Sequence, residues 1–170
     1  WHQIAAVGTG GVTKFYLDGQ SVGESNRQSE SDVYAIGNHG SNAQTMRFAD
    51  SIDDFRVYSK AFSQAEIDIL YGGGEGDFGK HPYFSAPPIF DNRPIIIPPN
   101  RPVLSWSFED TYGTTIGDFA GGDSNGTILG SPEWVPGRDG IALKLDGGDY
   151  LTTTGDALGL TTGFTVSGWI

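Results

Sequence analysis

Cysteine is absent from these 170 residues. Disulfides, thiolate metal sites and cysteine nucleophiles are therefore excluded, and the redox compartment stays open. Positive charge is scarce: 10 Lys and Arg stand against 21 Asp and Glu, a formal charge of −11. A surface of that sign repels phosphate backbones and argues against nucleic acid as a partner. The same surface attracts divalent cations wherever carboxylates converge. Long apolar runs are missing too, so no membrane span is predicted in this segment.

What is present is glycine (26), proline (9) and enough apolar residues (37%, with 12% aromatic) for a packed core. That mixture favours short strands and many turns over helices. Residues 1–8 read as a strand. Lys14-Phe15-Tyr16-Leu17 ends in Asp18-Gly19, a two-residue hairpin signal because both turn positions need positive φ. Alternation on this strand predicts Phe15 and Leu17 toward the core and Tyr16 outward. Residues 24–32 and 38–45 read as polar loops around a short strand at Val33–Gly37, and Met46–Ala49 as a brief strand. Over Ile52–Tyr58, period two places Asp53 on one face with Phe55 and Val57. A carboxylate in that company is costly unless neutralised.

One helix is predicted. Ser63 with Glu66 three residues on forms a capping box, Phe62 can staple onto Ile67, and Gly72-Gly73-Gly74 stops it. Residues 73–102 then lose all periodicity. Seven of their positions are proline (Pro82, Pro87, Pro88, Pro94, Pro98, Pro99, Pro102), the mark of a semi-rigid, partly polyproline-II linker. Its apolar patches, such as Ile95-Ile96-Ile97, suggest that it packs against something. Beyond it, Leu104, Trp106 and Phe108 alternate as a half-buried strand. Ile141–Leu145 and Tyr150–Thr153 flank the turn Asp146–Asp149, and Phe164, Val166 and Gly168 alternate in a last strand. The chain thus divides into residues 1–72, a linker over 73–102, and residues 103–170. Repeated short strands with turn signals predict an all-β, antiparallel two-sheet sandwich or jelly roll.

The motifs Trp106-Ser107-Phe108-Glu109, Asp118 to Thr127, Gly137 to Gly147 and Phe164 to Trp169 resemble the opening half of a laminin-G-like domain of the concanavalin-A-like lectin/glucanase family. Trp1 to Val7, Phe15 to Gly19, Ile36-Gly37 and Ile52 to Tyr58 resemble its closing half. The halves stand in swapped order, so the resemblance implies the end of one repeat (1–72) followed by the start of the next (103–170). It also implies that each half needs β-partners which this stretch does not supply.

The resemblance implies a structural calcium where the first strand, its following loop and the last strand meet. The candidate ligands are Asp53, Glu109, Asp118, Asp123 and Asn125, with carbonyls around Gly121 and Gly122; calcium wants six to eight oxygens. Asp53 and Glu109 can share an ion only if the two halves pack together. Glu66-Ile67-Asp68 begins like the catalytic run of laminarinase-type glycoside hydrolases. That chemistry needs paired carboxylates on a strand, whereas the run here lies on the capped helix and ends at Tyr71, so no enzyme is indicated. The Gly121–Gly126 loop fails as an EF-hand because Trp134 stands where the bidentate Glu belongs. Asn125-Gly126-Thr127 is read as a turn in preference to a glycosylation acceptor. His2, His39 and His81 lack metal-ligand spacing.

Tyr16, Tyr34, Tyr58 and Trp169 are candidates for outward rings, to stack on sugars or to meet a neighbouring repeat. The expectation is a non-catalytic, extracellular or cell-surface structural or adhesive repeat, calcium-stabilised, in a tandem or fibre-forming laminin-G-like protein. Its partners would be neighbouring repeats or subunits. The alternatives are a carbohydrate-binding module of a larger secreted enzyme and, behind it, a glycoside hydrolase.

Overall fold

A computed structural model describes residues 1–29, 33, 35–37, 50–72, 101–110, 112–153, 158, 160 and 162–170. Tyr34, His39, the strand expected at Met46–Ala49, His81 and all of the linker before Arg101 lie outside the described residues. Among the described residues every strand pairing is antiparallel, and the strands form two sheets with one short helix, as the turn-rich composition predicts.

The first hairpins follow from turn chemistry. β1 (Gln3–Thr9) and β2 (Val12–Leu17) are joined by Gly10-Gly11, and β2 and β3 (Gln20–Ser25) by Asp18-Gly19. Asp18 and Gly19 have φ of 50° and 76°, the paired left-handed turn that matches strand twist. β4 (Ala35–Ile36), β5 (Ser51–Tyr58) and α1 (Gln64–Gly72) follow. After the linker come β6 (Leu104–Trp106), β7 (Thr115–Ile116), β8 (Gly126–Leu129), β9 (Glu133–Pro136), β10 (Ile141–Lys144), β11 (Tyr150–Thr153) and β12 (Gly163–Trp169). The larger sheet runs β3-β2-β1-β12-β5-β10-β9, with β6 also on β5; the smaller runs β4-β11-β8-β7.

The halves of the chain therefore interleave. β12 lies between β1 and β5, and the other edge of β5 takes β6 through Phe55–Val57 and β10 through Ser51-Ile52. His2 and Ile170 exchange backbone hydrogen bonds of 2.8 and 2.9 Å. The expectation that each half needs strands from elsewhere is corrected: residues 1–58 and 104–169 supply strands to each other. The reason is that β1 and β5, alternating and half apolar, leave open edges that β6, β10 and β12 match in register.

The main core lies between the sheets, built on Phe55, Val57, Leu104, Trp106, Ile116, Leu143, Leu151 and Phe164. A second cluster of Ala5, Val7, Tyr16, Tyr58, Phe62, Ile67 and Leu70 lies between α1 and the other face of the larger sheet. This reverses the expected orientation of β2. Tyr16 is buried against α1, whereas Phe15 and Leu17 are 42% and 40% exposed. Alternation gives the phase of a strand but not which face finds a covering layer.

The capping box forms as predicted. Glu66 Oε2 accepts from Ser63 N at 2.8 Å, Glu66 N donates to Ser63 Oγ at 3.4 Å, and Phe62 and Ile67 join one cluster. Lys60 Nζ adds an ion pair to Glu66. Replacing Ser63 by alanine is expected to destabilise the protein by about 1 kcal/mol, a typical loss for an N-cap. A urea melt checks it: no change in midpoint would mean that α1 is held by burial alone.

Candidate functional site

β5 decides where the acidic residues go. Asp54 has φ of 54°, and the register against β12 slips between Ser167 and Trp169, which is a β-bulge. The extra residue shifts the alternation, so Ile52 joins Phe55 and Val57 in the core and Asp53 does not. The expectation that Asp53 shares their face is corrected by this bulge. Asp53 is still only 1% exposed. Its Oδ2 accepts from the amides of Arg138 at 2.8 Å and Asp139 at 3.1 Å. The carboxylate leans on the α-carbon of Gly137, where a Cβ would come within 2.6 Å of Oδ2. Burial, and then the like charges of Asp54 and Glu109, push its pKa from 3.8 to about 7 against the two amides that lower it. Asp54 is turned away and gripped by Arg56 Nη2 at 2.8 and 2.7 Å.

Glu109 reaches the same loop from the other half of the chain. It follows Phe108, a buried residue with φ of 62°. Its Oε1 accepts from Ile141 N at 3.1 Å, and its carboxylate packs on Gly140. The loop is closed by Gly137 N donating to Gly140 O at 3.0 Å. Asp53 and Glu109 thus hold one turn from both sides.

The other three candidates lie in the loop before β8. Asp118 Oδ1 accepts from Ser105 N at 3.0 Å and Ala120 N at 2.9 Å, and Asn125 Oδ1 accepts from Asp118 N at 2.9 Å. Asp118 Oδ2 is buried, has no hydrogen-bond partner, and faces the α-carbon of Gly122. Asp123 is exposed in that loop. The five nominated residues therefore fall into two places. Among the described residues, no three His, Cys, Asp or Glu side chains gather as metal ligands. What would suit a hard cation there is the orphaned Asp118 oxygen, while the Arg101 guanidinium lies against Gly121 in the same loop.

Tyr16, Tyr58 and Trp169 are 7%, 4% and 9% exposed, so the expectation of outward rings is corrected. Their face of the sheet is roofed by α1. Tyr58 lies 4.6 Å from Phe62, and Trp169 lies 6.1 Å from Tyr71 beneath the Arg138 guanidinium at 4.8 Å. Beside this roof, the sheet and the start of α1 leave a groove of about 380 Å³, lined by Tyr16, Lys14, Glu24, Ser21 and Gln64 among others. The sequence reading also missed Asp149, a buried carboxylate that accepts from Ser131 N at 2.7 Å and Asp146 N at 3.0 Å. The repeated Asp in Asp146-Gly147-Gly148-Asp149 was the available signal, since Asp is the usual clamp for turn amides.

Two layers of antiparallel strands with a helix after the long strand β5 are the arrangement that the closing-half motifs imply, and comparison with known families bears this out. Residues 1–68 match the Laminin_G_3 family, of the concanavalin A-like lectin/glucanases superfamily. No curated protein and no solved structure matches the chain. The laminin-G match covers β1 to β5 and most of α1, so it contains Asp53 and Tyr16 but not the Asp118 loop. The sandwich itself is of the concanavalin-A-like kind.

Proposed function

We propose that the chain is a non-catalytic structural or adhesive repeat of a tandem or fibre-forming laminin-G-like protein, working outside the cell or on its surface and stabilised by calcium. The observation that carries this reading is the interleaving of β12 between β1 and β5 across a proline-rich connection. On this reading residues 1–72 end one laminin-G-like unit and residues 103–170 start another, and their strand edges fit as a string of such modules needs. Neighbouring repeats or subunits of the same protein are the natural partners. An acidic, cysteine-free surface supports solubility in calcium-rich surroundings. Asp118, Asp123 and the carbonyls of Gly121 and Gly122 would hold the ion, with Asn125 orienting the loop.

Calcium is the direct test. A hundredfold excess over Kd stabilises by about 2.7 kcal/mol. At about 2–4 °C per kcal/mol, the thermal midpoint should rise by roughly 5–10 °C and fall back with EGTA. An unmoved midpoint would remove the metal from the proposal. The groove beside Tyr16 supports a second reading, a carbohydrate-binding module. Glycan-array binding that Lys14→Ala abolishes would favour it.

A further inference from the structure

The triplet Asn125-Gly126-Thr127 has two readings in the sequence, a turn and an acceptor for an N-linked glycan, and it is the only Asn-x-Ser/Thr in the chain. The structure removes the turn. A two-residue Asn-Gly turn needs positive φ at both positions, as at Asp18-Gly19, and neither Asn125 nor Gly126 has it. The chain is instead entering β8, where Gly126 pairs with Ile116 of β7 on one side and Thr153 of β11 on the other. The glycine has a different cause. A Cβ at Gly126 would lie 3.1 Å from the Trp106 indole and 3.3 Å from the Ile116 side chain.

Asn125 is the exposed member of a stretch pinned on both sides. Ser124 before it is buried, and its carbonyl accepts from Trp106 Nε1 at 2.9 Å; Gly126 after it is buried against the indole. The Asn125 side chain accepts from Asp118 N at 2.9 Å. A backbone N–H can only donate, so the accepting atom is the amide oxygen Oδ1, and the nitrogen Nδ2 is left for chemistry. N-glycosylation uses that nitrogen and spares that oxygen. Nδ2 forms a bond to C1 of the first sugar of a lipid-pyrophosphate-linked oligosaccharide. The C1–O bond breaks, the pyrophosphate leaves with the electron pair, and one Nδ2 proton passes to a base of the transferase. The product is still an amide, so Oδ1 goes on accepting from Asp118 N.

We infer that Asn125 is a modification site carrying an N-linked glycan, with Thr127 supplying the hydroxyl of the acceptor triplet. This rests on the reading that the chain works outside the cell. It leaves the calcium reading untouched, because Oδ1 still orients the Asp118 loop. A glycan is bulky and solubilising, so the end of the smaller sheet where β8 begins faces solvent, and a neighbouring repeat docks elsewhere.

Secretion of the whole chain from eukaryotic cells, behind a supplied signal peptide, tests it by intact-mass spectrometry. Wild type should carry a single glycan, released by peptide N-glycosidase with conversion of Asn125 to aspartate. Thr127→Val keeps the β-branched shape and the Asn125 hydrogen bond but lacks the hydroxyl, and should lose the glycan completely. Thr127→Ser should keep it. Asn125→Asp still offers an oxygen to Asp118 N but no nitrogen, and should also be secreted bare. A secreted wild-type chain without sugar overturns the inference, and so does a glycan that persists in Thr127→Val. Should the variants fail to fold and be retained, peptide mapping of the wild type decides alone: sugar on the peptide holding Asn125 supports the site, and sugar elsewhere overturns it. Because the signal peptide is supplied, a bare chain would count against Asn125 and not against the extracellular reading.

Discussion

Trp106→Ala is expected to be the most damaging single substitution in the sandwich, at about 4 kcal/mol, within the range for emptying a buried aromatic site. Trp106 is 1% exposed, pairs with Phe55 across β6 and β5, and lies 5.9 Å from its ring. Its Nε1–H donates to Ser124 O at 2.9 Å, and its indole rests on Gly126, where a Cβ would sit 3.1 Å away. The loss is therefore threefold: a cavity between sheets, an unpaired carbonyl, and the side chain that joins the two halves of the chain. Domains of this kind are stable by only about 5–15 kcal/mol. The thermal midpoint should fall by roughly 8–16 °C. Calorimetry checks it against Trp1→Ala, a 44% exposed residue whose loss should cost no more than about 0.5 kcal/mol. A Trp106→Ala midpoint within two or three degrees of wild type, by the same scaling, would mean that β6 does not pack on β5.

The second large effect is the pH dependence contributed by Asp53. Its pKa is about 7 in the fold and 3.8 ordinarily, because burial penalises the carboxylate more than two amides favour it. Between these values the folded chain keeps the proton that the unfolded chain has released. Metal-free stability should therefore fall as pH rises from about 4 to about 7, and then level off. At about 1.4 kcal/mol per unit, the cost at pH 8 has an upper bound of about 4 kcal/mol. Asp53→Asn keeps an oxygen for Arg138 N and Asp139 N but never ionises. It should thus stabilise the chelated protein at pH 8 by about 1–3 kcal/mol and change little at pH 4.5. Urea melts of both proteins at the two pH values measure the difference. The opposite order, with Asp53→Asn weaker at pH 8 in EDTA, would show the ionised carboxylate to be favourably held. Should calcium stabilise wild type but not Asp53→Asn, the ion is drawn to Asp53 and not to the Asp118 loop.

Much of the fold was legible because local rules act within a few residues. Asp18-Gly19 makes its turn through backbone φ alone, and Ser63 with Glu66 caps α1 through hydrogen bonds three residues apart. β7, β8 and β9 were not legible, since strands of two to four residues carry too little alternation to stand out. Among the candidate site residues, the sequence could say of Asp53 and Glu109 only that they can share an ion if the two halves pack together. It could not show that both hold the loop at 137–141 through its amides.

What the sequence determined by itself is the class of the protein: an acidic, cysteine-free, turn-rich β-sandwich with one capped helix, its closing half recognisable as laminin-G-like. Composition and period-two alternation suffice for that, because each is a property of short windows. The tertiary structure alone decided which faces are covered. One residue of bulge at Asp54 took Asp53 out of the core, and the placing of α1 buried Tyr16, Tyr58 and Trp169 while leaving Phe15 and Leu17 open. A strand's own residues specify two faces, but only the layer that packs upon one of them makes it the inside.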